Sequence, residues 1–296
     1  PQAALINPEA GSVLSIAESL TNIVGANLKK GLKSISLSAN WMWPCRNEGE
    51  DAALYSAVQA CSDFACALGI NIPTGKDSLS MTQKYGDKKV LAPGTVIISA
   101  GGEVADVKKT VSPVLQNKAS SIYYVDFSSD ELKLGGSALA QSLNSLGEQA
   151  PTVKCVEGFK RAFEAIQKLV DKSMLLAMHD ISAGGLITAL LEMTFANIKG
   201  GLAVNLDGFN NDDMVKILFA ENPAVLIQVA ENKDERVKRI LTDLGVKFIK
   251  VAEPTEERDM LIDFKGNQYM FFIDYLRDLW FKSSYLLDRK QCGEKC

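Results

Sequence analysis

Asp180 stands in the middle of the run Met174-Leu-Leu-Ala-Met-His-Asp-Ile-Ser-Ala-Gly-Gly-Leu186. The pattern reads as a short apolar strand ending in an aspartate, then a Ser/Gly turn, then an amphipathic helix to about residue 197, which places the Asp180 carboxylate where a sheet meets a ligand. The helix start, freed by Ser182 and two glycines, points backbone N–H groups at the same place and suits an anion or a metal–phosphate. The plainer alternative is an ordinary strand-to-helix connection with Ser182 as N-cap. Glu18 and Asn22 are four residues apart, so on one helix face a carboxylate and an amide oxygen can hold a hard cation between them, with Asp180 as the natural third oxygen ligand. The same face lies opposite the helix's apolar stripe and reads equally as a solvated polar surface.

Other segments offer less. Gly75-Lys76-Asp77-Ser78 supplies a glycine, an ammonium, a carboxylate and a hydroxyl in a polar turn after Pro73, facing a ligand or merely turning the chain. It is not a Walker phosphate loop, because the upstream glycine is absent and Asp77 intervenes before the serine. Leu134-Gly-Gly-Ser137 at a helix start binds phosphate or is simple capping. Asn40-Trp-Met-Trp-Pro44 reads as a packed aromatic loop, and Gly49-Glu-Asp51 as a favourable helix start. The six cysteines, Cys45, Cys61, Cys66, Cys155, Cys292 and Cys296, contain no CxxC, and His179 is the single histidine, which argues against structural zinc and gives a Cys–His nucleophile no local motif.

These groups sit in 296 residues with 47% hydrophobic and 23% charged content, a size and composition suited to a soluble globular protein of about two domains. A net charge of −4 without a basic stripe excludes nucleic acid as an expected partner, and no apolar run approaches a membrane span. No export signal is visible at the start of the sequence, and the thiols fit a reducing, cytoplasmic compartment. Helical spacing covers 12–27, with Ser12 as N-cap, and 50–68, ended by Gly69; strand-like runs lie at 34–38 and 95–100. A boundary is expected at 111–118. Beyond it strands at 122–127, 174–178, 202–206, 225–229, 247–251 and 261–264 alternate with helices at 137–146, 157–170, 186–197, 212–220 and 233–244, the order of an α/β (α+β) sandwich with uneven connections. The tail 275–296 reads as a helix that docks on something.

Taken together, Ala17-Glu-Ser-Leu-Thr-Asn-Ile23, Leu37-Ser-Ala-Asn-Trp-Met42, Gly49-Glu-Asp-Ala52, Pro73-Thr-Gly-Lys-Asp-Ser-Leu-Ser-Met81 and Met178-His-Asp-Ile-Ser-Ala-Gly-Gly-Leu186 resemble the large single-chain phosphoribosylformylglycinamidine synthases. The resemblance implies a fragment covering most of the second synthetase-like half. Residues 1–113 are then the later part of an aminoimidazole ribonucleotide synthetase-like dimerising, nucleotide-binding domain, 114–270 its companion α/β domain, and 271–296 the connection toward a missing glutaminase. It further implies Mg2+ with ATP or ADP as cofactors, Glu18, Asn22 and Asp180 as magnesium ligands, and Ser182 as a nucleotide contact. A further aspartate ligand is expected upstream of Pro1. The Gly75–Ser78 turn is similar to one facing the catalytic pocket across a pseudo-twofold. The implied parent is a glutamine-dependent, ATP-using ligase of purine biosynthesis, whose remaining domains are the partners of this chain; alone it is expected to be inactive and to form a homodimer. The alternatives are a structural module that holds ADP–magnesium and braces the catalytic half, or a self-contained hydrolase or kinase using Asp180 and Lys76.

Overall fold

A computed structural model describes residues 2–293. The chain opens with α1 (Gln2–Ile6) and α2 (Pro8–Ile23). Asn7, not Ser12, caps α2: its side-chain oxygen accepts from the Ala10 N–H at 2.8 Å, and Pro8 takes the first helical position, where a missing N–H costs nothing. Ser12 is buried inside the helix and donates to the Pro8 carbonyl. Next come β1 (Ile35–Met42), α3 (Glu50–Leu68), β2 (Asn71–Ser78), β3 (Thr82–Tyr85), β4 (Lys88–Leu91) and β5 (Thr95–Gly102). As expected, Gly69 ends α3, in the left-handed conformation.

Two expectations for this region are corrected. The Asn40-Trp-Met segment is the second half of β1, because β1 is the middle strand of a sheet ordered β2-β1-β5 and is paired along both edges. The Gly75–Ser78 stretch is likewise strand, running parallel to β1, with Gly75 opposite Ala39. A Cβ at Gly75 would collide with the Ala39 carbonyl oxygen, so strand approach accounts for the glycine without a ligand.

The remaining elements are β6 (Ser120–Asp126), α4 (Ala138–Ser142), α5 (Val156–Asp171), β7 (Leu175–Asp180), α6 (Gly185–Phe195), β8 (Gly201–Asn205), α7 (Met214–Phe219), β9 (Ala224–Ala230), α8 (Asp234–Asp243), β10 (Phe248–Thr255), β11 (Asp259–Phe264), β12 (Asn267–Phe272) and α9 (Ile273–Cys292). Their strands form one seven-stranded sheet, β12-β11-β8-β10-β6-β9-β7, antiparallel except where β11 runs parallel to β8. Strand β12 had no counterpart among the expected elements. No described helix is long and apolar enough to cross a membrane.

Residues of β6 and β9 alternate between two cores, as a sheet covered on both faces requires. Ile122, Tyr124 and Leu226 face a core shared with α6 and α7; Tyr123, Val125, Val225 and Ile227 face the other. That second core is continuous with Ile16 and Leu20 of α2 and Phe64 and Leu68 of α3, so the apolar faces of both sheets meet in one interior. Phe64 and Phe127 both pack edge-on against Phe159, at centroid distances of 5.7 and 5.2 Å. Gln167 of α5 adds a polar pin: it donates to the Val24 and Ala26 carbonyls at 2.7 and 2.8 Å and accepts from the Leu28 N–H at 3.0 Å.

The connection after β6 turns on Asp130, whose side chain is fully buried between Lys133 at 2.8 Å and Lys154 at 2.9 Å and also accepts from the Thr152 N–H. Desolvation works against its charge, but the hydrogen bonds from Lys133 and Lys154 outweigh it and hold the carboxyl below its ordinary range. A depressed carboxylate contributes stability that is present above the unfolded value and lost as pH falls through the folded one. Asp130→Ala should therefore destabilise by about 1–3 kcal/mol near neutral pH, since it leaves the largely buried Lys133 ammonium without its partner, while the half-exposed Lys154 is rehydrated. Denaturant melts will check this, and the deficit should shrink below pH 3.8, the ordinary value of the group.

Candidate functional site

The packing of α2 against the seven-stranded sheet leaves a cavity of about 900 Å3 between α2, β5, the Gly135–Gly136 turn and the loop after β7. Glu18, Asn22, Ser182 and Glu221 are among its lining residues, and among the described residues no lysine or arginine is. Asp180 adjoins it as the last residue of β7: the Asn22 amide donates to its Oδ2 at 3.2 Å, across 158 residues of sequence, and also to the Glu18 carbonyl at 2.9 Å. The fold thus brings Glu18, Asn22, Asp180 and Ser182 to one place. It leaves Gly75, Lys76, Asp77 and Ser78 out of that cavity, on an open edge strand, with Lys76 reaching only toward Ser78.

The charge balance is one-sided. Glu18 is open to solvent at the cavity mouth, yet the surrounding protein desolvates its carboxyl enough to push the pKa up, and the nearby Asp180 and Glu221 carboxylates push it further. Glu221 is raised by burial as well, opposed by hydrogen bonds from the Ala138 and Gly184 N–H groups at 2.7 and 2.8 Å. Those two bonds change the expected role of both glycine-rich helix starts. The Gly184 N–H that was read as free for an anion is taken by Glu221, and helix α6 begins only at Gly185, with Gly184 rather than Ser182 at the cap. Ser137 does cap α4, as the simple-capping alternative holds, but that helix is a five-residue turn.

Sequence reasoning missed Glu221 because nothing local marks it; it stands two residues after α7 in an unremarkable run. His179 has a different setting from the one a nucleophile's base needs. Its Nδ1 lies 2.7 Å from the Asp180 carbonyl oxygen and its Nε2 3.4 Å from Glu192, which also accepts from the Trp280 indole N–H at 2.9 Å. The histidine therefore joins the end of β7 to α6 and α9. The cysteines behave as ordinary thiols: Cys61 is buried and pushed up to about 11, and Cys155 caps α5. Cys296 lies outside the described residues.

Glu18, Asp180 and the free Asn22 carbonyl suit a hard divalent cation, and the excess of carboxylates leaves charge for it to neutralise. Among the described residues no three acidic, histidine or cysteine side chains are placed to enclose a metal by themselves, so a cation held here would need further oxygen ligands besides these side chains.

The FGAR-AT PurM_N-like domain family matches residues 1–103, and the C-terminal domain family of AIR synthase related proteins matches 122–263. Over its whole length the chain is 36% identical to human phosphoribosylformylglycinamidine synthase and 33% identical to a probable phosphoribosylformylglycinamidine synthase, chloroplastic/mitochondrial, of Arabidopsis thaliana. Both relatives are phosphoribosylformylglycinamidine synthases, and this chain is homologous to one segment of them from end to end. It spans 22% and 21% of the length of those two relatives. Its fold is that of Thermotoga maritima PurL complexed with FGAR, with a TM-score of 0.72 at 16% identity over 93% of this chain and 44% of that one. The same Thermotoga protein has been solved complexed with ATP and with ADP.

Crowded carboxylates cost the apo protein stability, as binding sites commonly do. Glu18→Gln should raise the melting temperature while weakening divalent-cation binding. Because the folded pKa of Glu18 is raised, its penalty is absent when both states are protonated and grows as pH rises through the folded value. The stability gap between the variant and the native protein should accordingly close below pH 4.5, the ordinary value of the group, in melts followed across pH.

Proposed function

We propose that this chain is the nucleotide-holding second half of a phosphoribosylformylglycinamidine synthase and that its cavity binds ADP or ATP together with Mg2+. The whole enzyme is an ATP-dependent amidotransferase: it converts formylglycinamide ribonucleotide, glutamine and ATP to formylglycinamidine ribonucleotide, ADP, phosphate and glutamate. The observation that carries the reading is the convergence of Glu18, Asn22 and Asp180 from two distant elements at a largely apolar cavity whose polar wall, among the described residues, offers carboxylates and hydroxyls and no lysine or arginine. Glu18, Asn22 and Asp180 would hold a magnesium ion there, and its charge would offset that of the carboxylates and of a nucleotide's phosphates. Ser182, at the cavity wall, is the proposed nucleotide contact.

The site supports holding more than chemistry. His179 does not line the cavity but stands between the Asp180 carboxylate at 3.5 Å and Glu192 at 3.4 Å, and the strand carrying Lys76 that a kinase-like reading needs lies elsewhere, so the nucleotide braces the seam between the two domains, proposed at 1–113 and 114–270, while 271–296 leads toward the rest of the synthase. Free thiols at the five described cysteines support a cytoplasmic location. The open face of the β2-β1-β5 sheet, with Ser38 opposite Ser99 and Asn40 opposite the half-exposed Ile97, supports pairing with a second synthetase-like half, or with another copy when that half is missing.

Calorimetric titration with Mg-ADP should show binding in roughly the micromolar-to-millimolar range that Asp180→Ala weakens by at least about tenfold, as loss of a ligand oxygen does. Binding indifferent to that change sinks the assignment. With ATP, Mg2+, formylglycinamide ribonucleotide and ammonia, the chain by itself should form no amidine above a protein-free control.

A further inference from the structure

We propose that Glu221 is a specificity-determining residue of the cavity: its carboxylate fills the place an anion would take, so that phosphate enters only in company with a divalent cation. The inference rests on the nucleotide reading above and adds a selection rule to it. One oxygen, Oε1, accepts both from the Ala138 N–H at 2.7 Å and from the Gly184 N–H at 2.8 Å. These amides belong to the two glycine-rich connections that border the cavity, and they are the kind of donor that elsewhere receives phosphate. Here an internal carboxylate already satisfies them, and charge-assisted bonds of this kind are hard to displace.

The carboxylate cannot easily swing away. The next residue, Asn222, is fully buried and donates to the Glu131 carbonyl at 3.0 Å, while the Pro223 carbonyl accepts from the Phe127 N–H at 3.0 Å. On the partner side, Gly184 has φ of +91°, and a Cβ there would collide with Thr188, so the loop that presents its N–H is fixed as well. What remains for a phosphate is a wall with Glu18 and Glu221 on it and, among the described residues, no lysine or arginine. A free nucleoside diphosphate meets net repulsion; the same nucleotide carrying Mg2+ brings the charge that Glu18, Asn22 and Asp180 can hold.

The test is calorimetry with ADP in excess Mg2+ and with ADP in EDTA, on the native chain and on Glu221→Gln and Glu221→Ala. Gln retains an oxygen for the two N–H groups and guards against a folding failure in Ala. The native chain should bind ADP only with Mg2+, and both variants should gain metal-free ADP binding by at least about tenfold, the scale of one charged hydrogen-bond partner. Native binding that is equally tight in EDTA, or variants as cation-dependent as the native chain, overturns the proposal. Failure of the nucleotide reading is separable: if the native chain ignores Mg-ADP, inorganic phosphate titrated into Glu221→Ala in EDTA still reports on the carboxylate. Gain of phosphate binding supports its role as an internal anion, and no gain overturns it.

Discussion

Phe159 meets Phe64 on one side and Phe127 on the other, and through that contact the helices of the first sheet and the strands of the second share a single interior. Everything at the candidate site depends on this junction. Glu18 and Asn22 ride on α2, Asp180 ends β7, and only the burial of Ile16, Leu20 and Val24 against the second region holds the helix where the Asn22 amide reaches the Asp180 carboxylate. Gln167 tightens the same seam by tying the end of α2 to α5 through three hydrogen bonds. Apolar burial supplies the attraction, and the directional bonds fix the register of the two pieces.

Against that favourable packing the cavity sets an unfavourable charge arrangement. The Asp180 and Glu221 carboxylates both act against the charge of Glu18, and among the described residues none of the lysines that neutralise acids elsewhere, such as Lys133 and Lys154 around Asp130, lines the cavity. The contrast separates structure from function within one chain. Asp130 has its pKa lowered because its charge is satisfied by the protein; Glu18 and Glu221 have theirs raised because burial leaves their charge less than satisfied.

The wall behind the site runs outward through a short polar chain. His179 touches the Asp180 backbone and Glu192, and Glu192 holds the indole of Trp280, which also packs on Phe195. Helix α9 is thereby seated at its first turns by Ile273, Trp280 and the Arg258–Asp274 pair, while Phe281, Tyr285 and Leu286 further along stay exposed. The docking expected of the tail is met over part of its length only.

Much of this was written in the sequence. Periodicity located most helices and strands, because buried faces impose spacings of 2 and 3.6 wherever they occur, and the quoted motifs pointed to the synthases that the chain matches over its whole length. The residues Glu18, Asn22, Asp180 and Ser182 were legible because each sits in a local pattern of helix face or strand end. The sequence misled where local chemistry and pairing compete: Gly75-Lys-Asp-Ser78 has the composition of a turn but becomes a strand because β1 offers it a parallel partner, and Asn7 outbids Ser12 as a cap because Pro8 starts the helix earlier. Glu221 was invisible, since its importance lies in two amides 83 and 37 residues away. Local spacing can state which groups are able to do chemistry; only the tertiary fold, through a core assembled from distant segments, decides which of them share a cavity and which charges they must bear there.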